Sequence, residues 1–123
     1  MGRLTGDLKE RTLRFGVEVL GLVGAFPQGT VGWVVGKQLA RCATSIGANV
    51  WEANAAFSNP DFAHKISIAH KEGNETQYWL EISRRADLLD SAAYDRLHAE
   101  VEELICILAT IVRKTRNHID EDR

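Results

Sequence analysis

Proline occurs only twice in this sequence, at Pro27 and Pro60, and each proline lies beside other residues that end or start helices. Pro27-Gln28-Gly29 is a turn signal, whereas Ser58-Asn59-Pro60-Asp61 places a capping residue, a proline and an acid where a helix begins. Apolar residues elsewhere recur at helical spacing, and no segment alternates with a period of two. The pattern therefore predicts an all-α chain with four helices, at about residues 7–26, 30–57, 60–89 and 92–117.

Each predicted helix has one apolar side, and Thr30 and Ser58 are the expected N-caps of the second and third helices. Long amphipathic helices joined by short loops predict an up-down-up-down antiparallel four-helix bundle. At 123 residues, the chain is expected to be a single domain, 1–123. The apolar stripes of the first and fourth helices are Leu8, Phe15, Val19, Leu22 and Phe26, and Leu97, Val101, Leu104, Leu108 and Ile111.

Charge and cysteine content narrow the class of protein. With a net charge of −2, the chain lacks the overall positive charge that is typical of proteins that bind nucleic acid. Cys42 and Cys106 lie far apart in apolar helical contexts, which predicts two buried free thiols and no disulfide. The N-terminus lacks the apolar region of a signal peptide, and no apolar run is long enough to span a membrane. We therefore expect a cytoplasmic protein with no membrane partner.

The second helix has an unusual surface, because one of its sides mixes tryptophans with very small residues. Lysine is absent between Gln38 and Ser58, so the helix is expected to be covered on nearly all sides. One four-helix bundle cannot cover a helix completely, so the pattern predicts a subunit interface. The interface candidates are Trp33, Trp51 and, on the third helix, Trp79. The apolar core side of the second helix is Val35, Leu39, Cys42, Ile46, Val50, Ala53 and Phe57.

Polar residues on the second and third helices are predicted to form a buried polar seam. A buried charge without a partner costs several kcal/mol, so Arg41 should pair with Glu72 or Glu75, and Lys65 with Glu52. Two interpretations remain open: a network that fixes helix register and subunit packing, which we favour, and the lining of a pocket or binding surface. The polar seam consists of Arg41, Ser45, Asn49, Glu52, Lys65, Glu72, Glu75 and Thr76.

No reaction or cofactor can be inferred from the residues. No glutamate is followed three positions later by a histidine, so the di-iron pattern of helical bundles is missing. The sequence also lacks a Cys-x-x-Cys pair, a P-loop, a dinucleotide-binding glycine motif and a nucleophile elbow. Ser45 has no histidine in its seam, and Glu72 and Glu75 are better explained by ion pairs than by acid–base catalysis. We expect no enzyme activity, no cofactor and no bound metal.

Two basic clusters are candidates for contacts with nucleic acid. The first is Arg3, Lys9, Arg11 and Arg14 near the start of the first helix, and the second is Arg113, Lys114 and Arg116 near the end of the fourth. In an up-down bundle these two ends lie together, so the clusters could combine, and assembly would multiply them. The alternative is that the cations near the end of the fourth helix complement its dipole.

Two consecutive segments resemble one known family. QLARCATSIGANVWEA (Gln38 to Ala53) followed by DFAHKISIAHKEGNETQYWLEI (Asp61 to Ile82) is similar in order and spacing to the four-helix-bundle family also called the 23S rRNA-intervening sequence protein family. RTLRF, from Arg11, resembles the opening of that family's first helix. Two positions depart from the family pattern: Cys42, where serine is commoner, and His70, where a small or apolar residue is usual.

The resemblance implies a four-helix bundle that assembles into a ring-like homo-oligomer, specifically a pentamer. A more distant likeness to the accessory protein of diversity-generating retroelements suggests that some relatives bind nucleic acid or a nucleic-acid-processing protein such as a reverse transcriptase. The molecular function of the family itself is not established. Our first hypothesis is a non-catalytic assembly protein whose partner is itself, and the alternative is an RNA- or nucleic-acid-binding accessory protein.

Overall fold

A computed structural model describes residues 6–121, and these residues form four α-helices joined by short loops. The described part of the chain contains no strand, so the predicted all-α fold is confirmed. The first three helices end earlier than predicted, and the last one continues further. None of the four helices combines the length and the apolar composition that a membrane span requires. The helices are α1 (Gly6–Gly24), α2 (Thr30–Asn54), α3 (Asn59–Arg85) and α4 (Ser91–Glu121).

The helix starts use three different residues. The Ser58 hydroxyl accepts a hydrogen bond from the backbone N–H of Asp61 at 3.2 Å, as predicted for the cap of α3. At the start of α4, a carboxylate oxygen of Asp90 accepts from the N–H of Ala93 at 2.8 Å. The prediction of Thr30 as a cap is wrong. Gly29 occupies the cap position with a φ of 134°, a backbone conformation that favours glycine, and no side chain caps α2.

Local backbone geometry explains why α2 and α3 stop early. After α3, Asp87 adopts a left-handed φ of 59°, and the N–H of Leu88 bonds to the carbonyl of Ser83 at 2.8 Å. This closure ends the helix and turns the chain towards α4. At the end of α2, the N–H groups of Ala55 and Ala56 bond back to carbonyls only three residues earlier. Phe57 therefore lies in a loop and is fully exposed, so its predicted place in the core is wrong.

The core lies between the predicted apolar sides of the helices. Leu97, Val101, Leu104 and Leu108 of α4 are completely buried, and so is most of the apolar side of α2. Cys42 belongs to this buried side, and burial of its thiol raises the pKa of that group. Cys106 is exposed, contrary to the prediction, because it lies off the buried stripe of α4.

Extensive packing occurs only between helices that are adjacent in sequence. α2 packs along α1 and α3, and α3 packs along α4, whereas α1 and α4 touch at only a few points. Charged side chains bridge that open side. Arg11 of α1 binds Glu100 of α4 through two hydrogen bonds of 2.8 Å, and Arg96 donates to Glu18 at 2.6 Å. The bundle therefore has extensive packing at three of its four contacts between helices, whereas the fourth is sparse and is bridged by charged side chains.

Candidate functional site

An apolar groove runs between α1 and α2 on the surface of the bundle. Its α1 wall consists of Leu13, Val17 and Leu20, which recur on one side of the helix and are all exposed. Its volume is about 470 Å³, and almost all of the atoms that line it are apolar. Large exposed apolar patches are uncommon on proteins that remain single chains. The groove is lined by Thr12, Leu13, Gly16, Val17, Leu20, Thr44, Gly47, Ala48 and Trp51.

Small residues on the facing sides of α1 and α2 make the floor of this groove. A methyl group built on Gly47 would lie 3.3 Å from backbone atoms of Thr12, and one on Gly16 would lie 3.5 Å from Thr44. The two helices therefore approach each other closely along their contact. The larger side chains of Val17 and Trp51 stand on either side of that contact and remain 62% and 51% exposed. The result is a shallow channel with apolar walls.

The predicted tryptophans do not all have the same surroundings. Trp33 and Trp51 are separated by 18 residues, which is five full helical turns, so they lie on the same side of α2 about 27 Å apart. Each ring is accompanied by a lysine: Lys37 Nζ lies 5.1 Å from the ring centre of Trp33, and Lys9 Nζ lies 4.5 Å from that of Trp51.

Trp79 is different from the two tryptophans of α2. It packs partly against the core, and its indole N–H donates to Glu75 at 3.2 Å. Trp33 and Trp51 are thus exposed in the single chain, whereas Trp79 is partly buried.

The polar seam contains both predicted ion pairs. Arg41 lies 3.2 Å from Glu72 and also binds Glu75, and Lys65 binds Glu52 at 2.8 Å. The hydrogen bond from Arg41 is the main reason that the pKa of Glu75 is lowered, and the same bond raises the pKa of Arg41. These charges connect α2 to α3 along one side of the bundle.

The prediction that the whole seam is buried is wrong for the single chain. Only Glu72 and Thr76 are buried, while Arg41 and Glu52 are exposed and the remaining members are partly covered. Asn49 donates to the carbonyl of Ser45 at 2.8 Å, and the hydroxyl of Thr76 donates to the carbonyl of Glu72 at 2.8 Å. The physical reason is that long side chains at the edge of a helix contact reach their partners while their charged ends stay in water.

We expect Arg41→Met to lower the free energy of unfolding by about 1 kcal/mol, because it leaves the carboxylate of Glu72 largely buried without its cation. Lys65→Met is the matched control, since its partner Glu52 is mostly exposed and stays hydrated, so stability should change little. Urea unfolding at a single protein concentration measures both variants. Equal losses in the two variants would contradict the assignment of Arg41 to a partly buried pair.

The first predicted basic cluster does not form one patch. Arg11 is bound by Glu100 and Glu103 of α4, which raises its pKa, and Lys9 lies over the ring of Trp51. Arg14 is 3.8 Å from Glu10. Arg3 lies outside the described residues. The cations of this cluster are therefore directed to different partners and do not face one ligand together.

The second basic cluster is different. Arg113, Lys114 and Arg116 are exposed, and none of them forms an ion pair with another residue of the range 6–121. Within the same range, no three residues among the histidines, cysteines, aspartates and glutamates are grouped so that they could hold a metal ion.

The α1 wall of the groove was not anticipated from the sequence. Leu13, Val17 and Leu20 have the same spacing of three and four residues as the buried stripe, so a signal was present on the opposite side of the helix. A helix with two apolar stripes predicts two covered surfaces. Only one of those surfaces, that of Leu8, Phe15 and Val19, is needed for the core.

Comparison with known proteins identifies the family. A model of the 23S rRNA-intervening sequence protein matches residues 7–110. The chain belongs to this family. None of the functionally curated proteins matches it. A solved structure of a protein of unknown function from the S23 ribosomal protein family of Bacteroides thetaiotaomicron VPI-5482 is similar, with 35% identity and a TM-score of 0.82. The similarity covers 88% of this chain and 96% of that one.

Membership in the 23S rRNA-intervening sequence protein family confirms the predicted resemblance and agrees with the four-helix fold. The function of the solved relative is itself unknown, so the comparison gives no activity. What distinguishes possible roles for this family member is therefore its own surface: the apolar groove of α1 and α2, the polar seam, and the cations near the end of α4 that have no ion pair within residues 6–121.

Proposed function

We propose that this protein is a non-catalytic building block that assembles with copies of itself through the apolar groove of α1 and α2. The observation that carries the proposal is the exposure of Leu13, Val17, Leu20 and Trp51 along one continuous channel. Apolar side chains near the centre of an interface, with aromatic anchors, are the usual source of binding free energy between proteins. The acids of the seam are engaged by cations, which supports a structural role for them.

A second copy of the chain is the occupant that we propose for the groove, and the family resemblance suggests a ring of five. In an odd-numbered ring each contact joins two different surfaces, so the groove meets another part of its neighbour. The surface around Tyr78 on α3 is suitable, because its ring is exposed and lies beside the partly exposed carboxylates of Glu75 and Glu81. Both carboxylates are bound by arginines but remain partly exposed, so they would complement Lys9, which lies beside Trp51 at one end of the groove.

Light scattering on the protein as it leaves a sizing column, with absorbance recorded at about 260 and 280 nm, tests this proposal. We expect one species near five times the chain mass of 13.7 kDa, with the absorbance ratio of pure protein. A single chain at micromolar concentration would refute self-assembly. A stable species of another size would refute the ring of five but not the groove.

A second candidate function, binding of RNA or another nucleic acid, is favoured by one observation. Arg113, Lys114 and Arg116 are exposed near the end of α4, without ion pairs among the described residues. Cations that no carboxylate neutralises are available to phosphates, and a ring would repeat them once per subunit. In the same column experiment this function predicts a raised 260 nm signal that added salt removes. No such signal at low salt, with RNA supplied, would refute it.

A further inference from the structure

A second groove, of about 400 Å³, lies between the first half of α3 and the last part of α4. Ala109 and Val112 form its apolar part. Its polar members can donate hydrogen bonds through two guanidinium groups, an amide and an imidazole. The polar residues that line it are Ser67, His70, Arg113, Arg116 and Asn117.

The arginines of this groove differ from the others in the described part of the chain. Every other arginine of residues 6–121 lies within 4.0 Å of a carboxylate, whereas Arg113 and Arg116 do not. Both unpaired arginines line the same groove. The guanidinium groups of residues 6–121 that have no carboxylate within 4.0 Å therefore lie together in one groove.

We propose that the α3–α4 groove binds a backbone phosphate of a nucleic-acid strand, an inference that rests on the second candidate function above. Guanidinium groups match the geometry of phosphate oxygens and can donate two hydrogen bonds at once. Asn117 and His70 supply further donors at the edge of the groove. The Ser67 hydroxyl already donates to the carbonyl of His64 at 2.7 Å, so it contributes no free hydrogen.

The composition of the groove also defines what it does not recognise. It contains no phenylalanine, tyrosine or tryptophan, so we expect contacts with phosphate to dominate and binding to depend little on base sequence. Arg113 is two turns from the end of α4, beyond the reach of the negative helix terminus. Asp120, one turn after Arg116 on the same side of α4, weakens the positive field at one end.

The test is fluorescence anisotropy with a short single-stranded RNA of mixed sequence at low salt. The double variant Arg113→Gln with Arg116→Gln should weaken binding by roughly tenfold or more. It should also make the plot of the logarithm of the association constant against the logarithm of salt concentration less steep by about 1.4, because each phosphate contact with a single strand contributes about 0.7 to the slope. The matched control is Arg14→Gln with Arg85→Gln, which removes the same charge from exposed positions outside the groove and should retain most of the affinity. Asp120→Asn should tighten binding about twofold, a gain that a folding defect cannot produce.

The possible results distinguish a failure of the α3–α4 groove as the binding site from a failure of nucleic-acid binding by the protein. RNA binding that falls equally in the groove variant and in the control would overturn the groove as the site and leave nucleic-acid binding intact. If RNA does not bind but pyrophosphate does, by calorimetry, and the groove variant loses it, the ligand is a small phosphorylated molecule and the nucleic-acid strand is refuted. If neither binds, the phosphate site is refuted. Unchanged elution of the variants on a sizing column confirms that assembly is intact.

Discussion

Val17→Asp should convert the assembled protein into single chains of 13.7 kDa without loss of helix. Val17 is 62% exposed within the chain, so the bundle itself has little to lose from the change. In the proposed assembly the same side chain is covered, and an unpaired carboxylate there costs several kcal/mol, which is more than a hundredfold in the association constant. Light scattering measures the mass, and far-ultraviolet circular dichroism measures the helix content.

Two further variants complete this experiment. Cys106→Asp places the same charge at an exposed position on α4, outside the groove, and should leave the assembly unchanged. Tyr78→Asp should dissociate the ring as Val17→Asp does, because a ring joins two different surfaces. If Val17→Asp dissociates the assembly but Tyr78→Asp does not, the groove pairs with the same groove of a second copy. An assembly that tolerates Val17→Asp would contradict the groove as the interface.

Gly32→Ala should lower the free energy of unfolding by about 1 to 3 kcal/mol, although it adds only one methyl group. That methyl carbon would lie 2.2 Å from the carbonyl oxygen of Pro27, which is backbone and cannot rotate away. The turn between α1 and α2 must shift to accommodate it, and this turn sets how the two helices meet. Urea unfolding at one protein concentration measures the loss.

Gly21→Ala, in the neighbouring helix α1, should instead raise the free energy of unfolding. No atom lies within 4 Å of the position where its methyl group would be, and Gly21 is exposed in α1. Alanine is the better helix former, so this variant should be more stable than the parent by up to about 1 kcal/mol. A Gly32→Ala protein as stable as the parent would mean that the turn is not closely packed against the start of α2.

Much of the fold could be predicted because helices and their ends depend on local chemistry. The buried stripe of α4 and the cap at Ser58 follow from spacing and from hydrogen-bonding capacity, and the structure contains both. Opposite charges on facing helices similarly predicted the pairs of Arg41 with Glu72 and of Lys65 with Glu52. These inferences needed only residue type and position along a helix.

The remaining errors came from features that local chemistry does not determine. Helical spacing alone cannot distinguish a buried apolar stripe from an exposed one, so the exposure of Leu13 and Val17 was not foreseen and Cys106 was wrongly placed in the interior. The loop position of Phe57 depends on where α2 ends, which is set by the geometry of the turn. The burial of the polar seam was overestimated because a helical wheel shows on which side of the helix a residue lies, but not how far a long side chain extends towards water.

The sparse contact between α1 and α4 has a consequence for how the chain folds. Because extensive packing joins only neighbouring helices, each helical hairpin can form as soon as its second helix exists. Proteins dominated by such contacts have low contact order and fold quickly, since no long loop must close first. During synthesis, α2, α3 and α4 would each leave the ribosome after the preceding helix, against which each of them packs. The charged contact of Arg11 with Glu100 would then close last, when the final helix arrives.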